Sequence, residues 1–295
     1  YLKIMRLKRL IQKKSKKFLI NRLRNNFSTI FQSYNISDKK FCNIPYVDLK
    51  FFKDSILTKK NETLRVKIDG QILPKLLVTG KFDEFLFKFL KKKLKKKTLF
   101  IDVGSNHGFV SKQVSTIDFV KKIISYEPFP DLFNIAKINL ASVKNIKQNN
   151  YGWAKKKGNY TFYENISNSG DLSLIKNKQR NVKHVCKFLN ANNEISKIIS
   201  SNKSLFIVLK TDCQGYDIDI FCNIEDSNLK KINIYFLECK DISENNKKKF
   251  YKKAKLFKKI MVSSPLLHEN IKDIGIKDIK YYLDYKVEFD LIFLN

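Results

Sequence analysis

From Thr98 onward the 295-residue chain alternates short apolar runs with helix-like stretches, a rhythm that few folds can satisfy. TLFIDV (98–103) reads as a buried strand, followed by a glycine-containing turn and a helix over 111–119. KIISYE (122–127), NIKQNN (145–150), SLFIVLKTD (204–212) and INIYFLE (232–238) read as four more strands. Helices are expected over 130–140 and from Gly215 to residue 222, and VEFDLIFLN (287–295) closes the chain as one or two strands. Such alternation implies an α/β fold, a mostly parallel twisted sheet with helices on both faces.

Two segments precede this unit. Residues 1–45 read as a basic helical extension, with Leu2, Met5, Leu10, Phe18, Leu19 and Leu23 at roughly helical spacing among dense positive charge. Residues 46–97 read as a lead-in hairpin and helix. The hairpin is expected to break at Asp69-Gly70 and Pro74, and KFDEFLFKFLKKKLKKK (81–97) supplies the helix, its lysines suiting the negative end of the helix dipole. The remaining unit is 98–295. No apolar run approaches the ~20 residues of a membrane span. Lysine and arginine interrupt every candidate signal-peptide core in the first thirty residues. Five scattered cysteines without a C-x-x-C pair read as reduced thiols. A cytoplasmic location is expected.

The formal charge of +31 invites a polyanion partner. Only Arg6, Arg9, Arg22, Arg24, Arg65 and Arg180 are arginines, however, the usual bidentate readers of phosphate and guanine. Lysine accompanied by abundant Asn, Ile, Phe and Tyr is what an A/T-rich genome writes with its codons, and this reading is preferred. An anionic membrane surface, an acidic substrate and nucleic acid share the remainder, with nucleic acid disfavoured. For residues 1–31 a loosely packed solvated helix is favoured over a weak contact with an anionic membrane surface, because the apolar stripe is thin.

In open α/β sheets ligands bind outside the carboxyl ends of strands, so the turn DVGSNHG (102–108) is the first place to look. A dinucleotide needs G-x-G-x-x-G so that backbone can approach a pyrophosphate, and here Asn106 takes the place of the middle glycine. Asp102 would also repel phosphate. A cationic, phosphate-free nucleoside fits better, and S-adenosylmethionine is one. The second strand ends in Glu127, placed to accept hydrogen bonds from both ribose hydroxyls.

Four segments in register, FIDVGSNHGFVS (100–111), YEPFPDLFNIAKINL (126–140), NYGWAKKKG (150–158) and LKTDCQGYDIDIF (209–221), resemble the FkbM-type methyltransferase family. The resemblance implies a Rossmann-like class I methyltransferase fold for 98–295 and S-adenosylmethionine as methyl donor. It further implies O-methylation of a sugar, glycan or related small-molecule hydroxyl. Carried over, Asp102, Gly104, Ser105, Asn106 and Gly108 should wrap the methionine end and ribose, Glu127 should take the ribose hydroxyls, and Asn150, Tyr151 and Gly152 should approach the adenine. Gln214 stands where the family often has Glu, and Asp217 replaces a longer Glu.

On the acceptor side a hydroxyl must lose its proton, so a base helps. Asp212 ends the fourth strand and is the first candidate; strand alternation puts Lys210 beside it. A structural ion pair is the alternative. His107 is expected to be a solvent-facing turn residue. Glu238 could join Asp212 around a cation, but two carboxylates are insufficient for a metal site. The loop GDLSL (170–174) either borders the acceptor or is a surface turn, and Cys213 reads as a packed thiol. The absence of Pro after Asp212 counts against base N-methylation. Alternatives to glycan O-methylation are an RNA ribose methyltransferase and a non-catalytic polyanion-binding module on the same fold.

Overall fold

The computed structural model describes residues 31–36, 46–51 and 55–295, except 56, 59–60, 70, 81, 166–167, 169, 177, 181, 240–241, 264–270 and 285–288. The helix expected over 1–31 therefore lies outside the described residues, apart from Phe31. Strands β1 (Phe31–Ile36), β2 (Tyr46–Phe51) and β3 (Thr63–Lys67) form an antiparallel sheet, followed by α1 (Ile72–Thr79) and α2 (Glu84–Lys93). The lead-in hairpin exists, but its connection is 52–62, and Asp69 instead starts α1. The Asp69 Oδ1 accepts from the Gln71 and Leu73 backbone N–H groups at 3.0 Å each, and Pro74 falls in the first turn, where a missing N–H is tolerated. Asp69→Ala should cost about 1 kcal/mol of stability, measured by urea unfolding, since two helix-start donors lose their acceptor. In α2, Leu86, Phe87, Phe89 and Leu90 are buried and Lys91–Lys93 close the last turn.

The alternating unit continues through β4 (Thr98–Val103), α3 (Phe109–Val114), β5 (Val120–Tyr126), α4 (Pro130–Asn139) and β6 (Ile146–Asn149). An unforeseen four-stranded sheet follows: β7 (Gly152–Ala154), β8 (Gly158–Glu164), β9 (Leu172–Ser173) and β10 (Val182–Asn190), in the order β7-β10-β8-β9. The chain then returns through α5 (Ala191–Ser201), β11 (Phe206–Thr211), α6 (Asp217–Asn223), α7 (Asp226–Leu229) and β12 (Ile234–Cys239). It ends with α8 (Glu244–Ala254), β13 (Lys259–Ser263), β14 (Ile271–Ile274), α9 (Ile279–Asp284) and β15 (Phe289–Leu294).

The central sheet has the order β14-β13-β15-β12-β11-β4-β5-β6. Pairing is parallel from β12 to β6, and β15 runs antiparallel between β12 and β13. The helix-bearing crossovers go outward in one direction from β4 to β6 and in the other from β11 to β12. The switch point lies between β4 and β11, where a ligand crevice is expected. This is a Rossmann-like α/β fold with an antiparallel strand, β15, inserted beside β12. All of β4 and β12 is buried, with separate apolar clusters on the two faces of the sheet. Among the described residues no helix is long and apolar enough to cross a membrane, and Cys186, Cys213, Cys222 and Cys239 are free thiols.

Candidate active site

A cavity of about 830 Å³ opens over the carboxyl ends of β4, β5 and β11. The crevice exists because backbone passes backbone there. Gly104 sits at φ 81°, and a Cβ on it would lie 2.0 Å from the Asp212 carbonyl oxygen. Only glycine allows that approach. The strand ends are laced together: the Asp212 N–H donates to Val103 at 3.0 Å, and the Gly104 and Ser105 N–H groups both donate to Tyr126, at 2.9 and 3.0 Å.

Glu127 lines this cavity with its carboxylate clamped at both oxygens. Oε2 accepts from the Asn106 N–H at 2.8 Å, and Oε1 accepts from the Phe129 N–H at 2.9 Å. Burial pushes its carboxyl up to about 7, against the two backbone donors. The folded protein thus holds this proton more tightly than the unfolded chain, and the contribution weakens stability as pH rises from about 4.5 to 7. Between pH 5 and 7 the stability difference between Glu127→Gln and wild type should change by about 1.4 kcal/mol per pH unit in favour of the variant. Denaturant titrations at three pH values would measure it.

The opposite end of the cavity is built on Lys210. Its ammonium lies 3.2 Å from Asp102 Oδ1 and 3.4 Å from Asp212 Oδ2. Burial pulls this amine down, but Asp102, Asp212 and Asp83 outweigh it and hold its pKa well above the ordinary lysine value. Lys210 is therefore held as a cation, and it lines the cavity beside Asp212 as expected from strand alternation. Asp102 does not line the cavity: it is fully buried, accepting also from Ser111 Oγ at 2.7 Å. Where a direct cofactor contact was expected, the structure places Asp102 in contact with the Lys210 ammonium and the Ser111 hydroxyl. Asp212 is the open member, its side chain 37% exposed. Gln214 Nε2 donates to Asp212 at 3.1 Å and to Glu238 at 3.0 Å. Behind this turn Asp217 accepts from the Cys213 N–H at 2.9 Å, and burial pushes its carboxyl up to about 7. Cys213 lines the cavity as a thiol that burial, then Asp217 and Asp212, keep well above the ordinary range, a poor nucleophile.

Of the other expected residues, Ser105, Asn106 and Gly152 line the cavity with Gly104 and Glu127. Gly108, Asn150 and Tyr151 do not. Gly108, at φ 80°, packs on Leu140 and starts α3; Asn150 Nδ2 donates to the Glu127 carbonyl at 2.9 Å, bracing the exit of β5; Tyr151 packs near Tyr126. His107 is buried, not solvent-facing. Its Nε2 accepts from the Lys67 N–H at 3.0 Å, because β3 passes directly over the turn. The GDLSL loop borders the cavity through Gly170, Asp171, Leu172 and Leu174.

Sequence reasoning missed Asp83. This residue adopts φ 44° just ahead of α2 and enters the cavity from the lead-in segment. Burial pushes its carboxyl up, against the pull of Lys210. Arg180 was missed as well. It lines the outer wall, its Nε donating to Asp171 at 2.7 Å. The only local signal was a left-handed backbone at a non-glycine residue, which a sequence does not display.

The family model for the methyltransferase FkbM domain matches residues 102–264, over half of the chain. The chain belongs to the FkbM methyltransferase family. Its cofactor is S-adenosylmethionine, which supplies an activated methyl group. The residues of the crevice fit it. Glu127 keeps free lone pairs on both oxygens for ribose hydroxyls, Leu132, Trp153 and Phe162 offer an apolar wall for a flat ring, and the cation at the strand ends, Lys210, is already paired with Asp102 and Asp212 rather than open to a phosphate. Among solved structures the fold is similar to a protein of the NADB-Rossmann superfamily from Streptococcus agalactiae, at 11% identity over 73% of this chain and 69% of that one, TM-score 0.40. It is also similar to the fibrillarin pre-rRNA processing protein of Methanococcus jannaschii, at 10% identity over 89% and 98% of the two chains, TM-score 0.38. No curated protein matches the sequence.

Proposed function

We propose that this methyltransferase transfers the methyl group to a hydroxyl oxygen of a sugar, glycan or related polyol. The observation that carries the reading is Asp212: a half-open carboxylate over a buried ammonium, on the cavity side of the switch point. A carboxylate there can accept the proton of an acceptor hydroxyl as its oxygen takes the methyl group. Lys210, kept charged by three acids, holds Asp212 in place, and Gln214 fixes the other oxygen. Asp83 and the Arg180–Asp171 pair supply further polar groups along the outer wall, suited to a substrate with several hydroxyls. The turn after Asp212 carries no proline, which argues against base N-methylation.

The test is transfer of labelled methyl from S-adenosylmethionine to a panel of sugars, polyols, lipids and RNA, with products read by mass. Label in an alkali-stable ether on a carbohydrate is the expected result. Label confined to RNA, or to an amine, would reject the proposal.

A further inference from the structure

The lysines of this chain are not spread evenly. The turns leading into β4, β5, β11, β12 and β13 (94–97, 115–119, 202–205, 230–233 and 255–258) hold eight lysines and one acid, Asp118. The stretches of sequence that follow the same five strands (104–108, 127–129, 212–216, 240–243 and 264–270) hold one lysine, Lys240, and four acids, Glu127, Asp212, Asp241 and Glu269. Codon usage alone would not sort charge between the two ends of one sheet. Backbone bonds fix the entering turns in a row: Phe206 donates to Lys97, Asn233 to Ile207, Asn295 to Asn233 and Lys258 to Leu294, at 2.9 to 3.0 Å. Strand spacing of ~4.8 Å spreads this row over about 24 Å. Lys96, Lys97, Lys121, Lys203, Lys231 and Lys258 are all exposed along it. None of the six forms a salt bridge with a described residue. Phe119, 38% exposed, stands among them, its carbonyl accepting from Thr98.

We propose that this amino edge of the central sheet, on the end opposite the cavity, docks the protein onto an anionic lipid surface. Lysines without arginine suit a diffuse negative surface rather than bidentate readout of nucleic acid, and the two described arginines, Arg65 and Arg180, are committed to Asp48 and Asp171. An exposed aromatic within the row adds apolar contact at the headgroup level. Docked this way, the cavity faces away from the membrane, open to a soluble acceptor.

The experiment is co-sedimentation of the full chain with phosphatidylcholine vesicles, with and without phosphatidylglycerol, and with RNA as competitor. Wild type should bind only the anionic vesicles and release in high salt. The triple variant Lys97→Gln/Lys121→Gln/Lys231→Gln should bind on the order of 100-fold more weakly, at about fivefold per lysine, with unchanged S-adenosylmethionine affinity as the control for folding. If the triple variant does not fold, Lys121→Gln and Lys231→Gln singly should each weaken binding about fivefold. Unchanged vesicle binding in these variants would overturn the proposal, as would binding to RNA in place of vesicles.

Discussion

Asp212→Asn is expected to lower kcat by about 10²–10⁴-fold, the usual contribution of a positioned general base, while S-adenosylmethionine affinity stays close to wild type. The amide preserves shape and can keep a hydrogen bond to Gln214, but it cannot take the hydroxyl proton. It also removes one of the carboxylates facing the Lys210 ammonium, at 3.4 Å. Asp102 remains to hold that charge, so the fold should survive. The readout is the split between kcat and KM: a base role lowers kcat and leaves KM close to wild type. A variant with wild-type kcat would assign Asp212 to charge balance alone and leave Asp83 as the acid to examine.

The second large effect concerns stability. Lys210→Met removes the cation from a site in which Asp102 is fully buried and Asp212 and Asp83 are close by. Breaking one partner of such a buried pair leaves an uncompensated charge and typically costs about 3–5 kcal/mol. At a few degrees per kcal/mol for a chain this size, Tm should fall by on the order of 10 °C, read by calorimetry. Adding Asp102→Asn to that variant removes the orphaned charge and should recover a large part of the loss. If the double variant is no more stable than Lys210→Met, the ion pair is not what holds the crevice floor.

The sheet was legible because its strands are buried on both faces. A strand such as TLFIDV carries continuous apolar residues that survive any local context. The mostly parallel pairing followed from alternation, and the crevice from the glycine turn at its leading strand, whereas the spatial order of the strands is set by tertiary packing. The sheet β7-β10-β8-β9 was not legible. In β8 and β10 the apolar alternation is broken by Val185, 74% exposed on the outer face, and by the polar His184 and Glu164 on the inner one. The site divided along a similar line. Gly104 and Glu127 announce themselves by backbone geometry and by position after a strand. The burial of Asp102 was not legible, because a carboxylate at a strand end looks the same in sequence whether it faces the cavity or the core. Lys210, 108 residues away in sequence, decides the matter, and only folding brings the two together. Asp83 could not be read at all, since its place in the cavity depends on how α1 and α2 pack against the alternating unit.

The central claim is that the crevice between β4 and β11 binds S-adenosylmethionine with Glu127 on its ribose. Isothermal titration of S-adenosylmethionine into folded wild type and folded Glu127→Gln tests it most directly. The account predicts saturable binding to wild type and roughly ten- to hundredfold weaker binding to the variant, the worth of one hydrogen bond to a charged group, with the variant's Tm equal or higher near pH 7. Equal affinity in both proteins, or no binding to folded wild type, would contradict it.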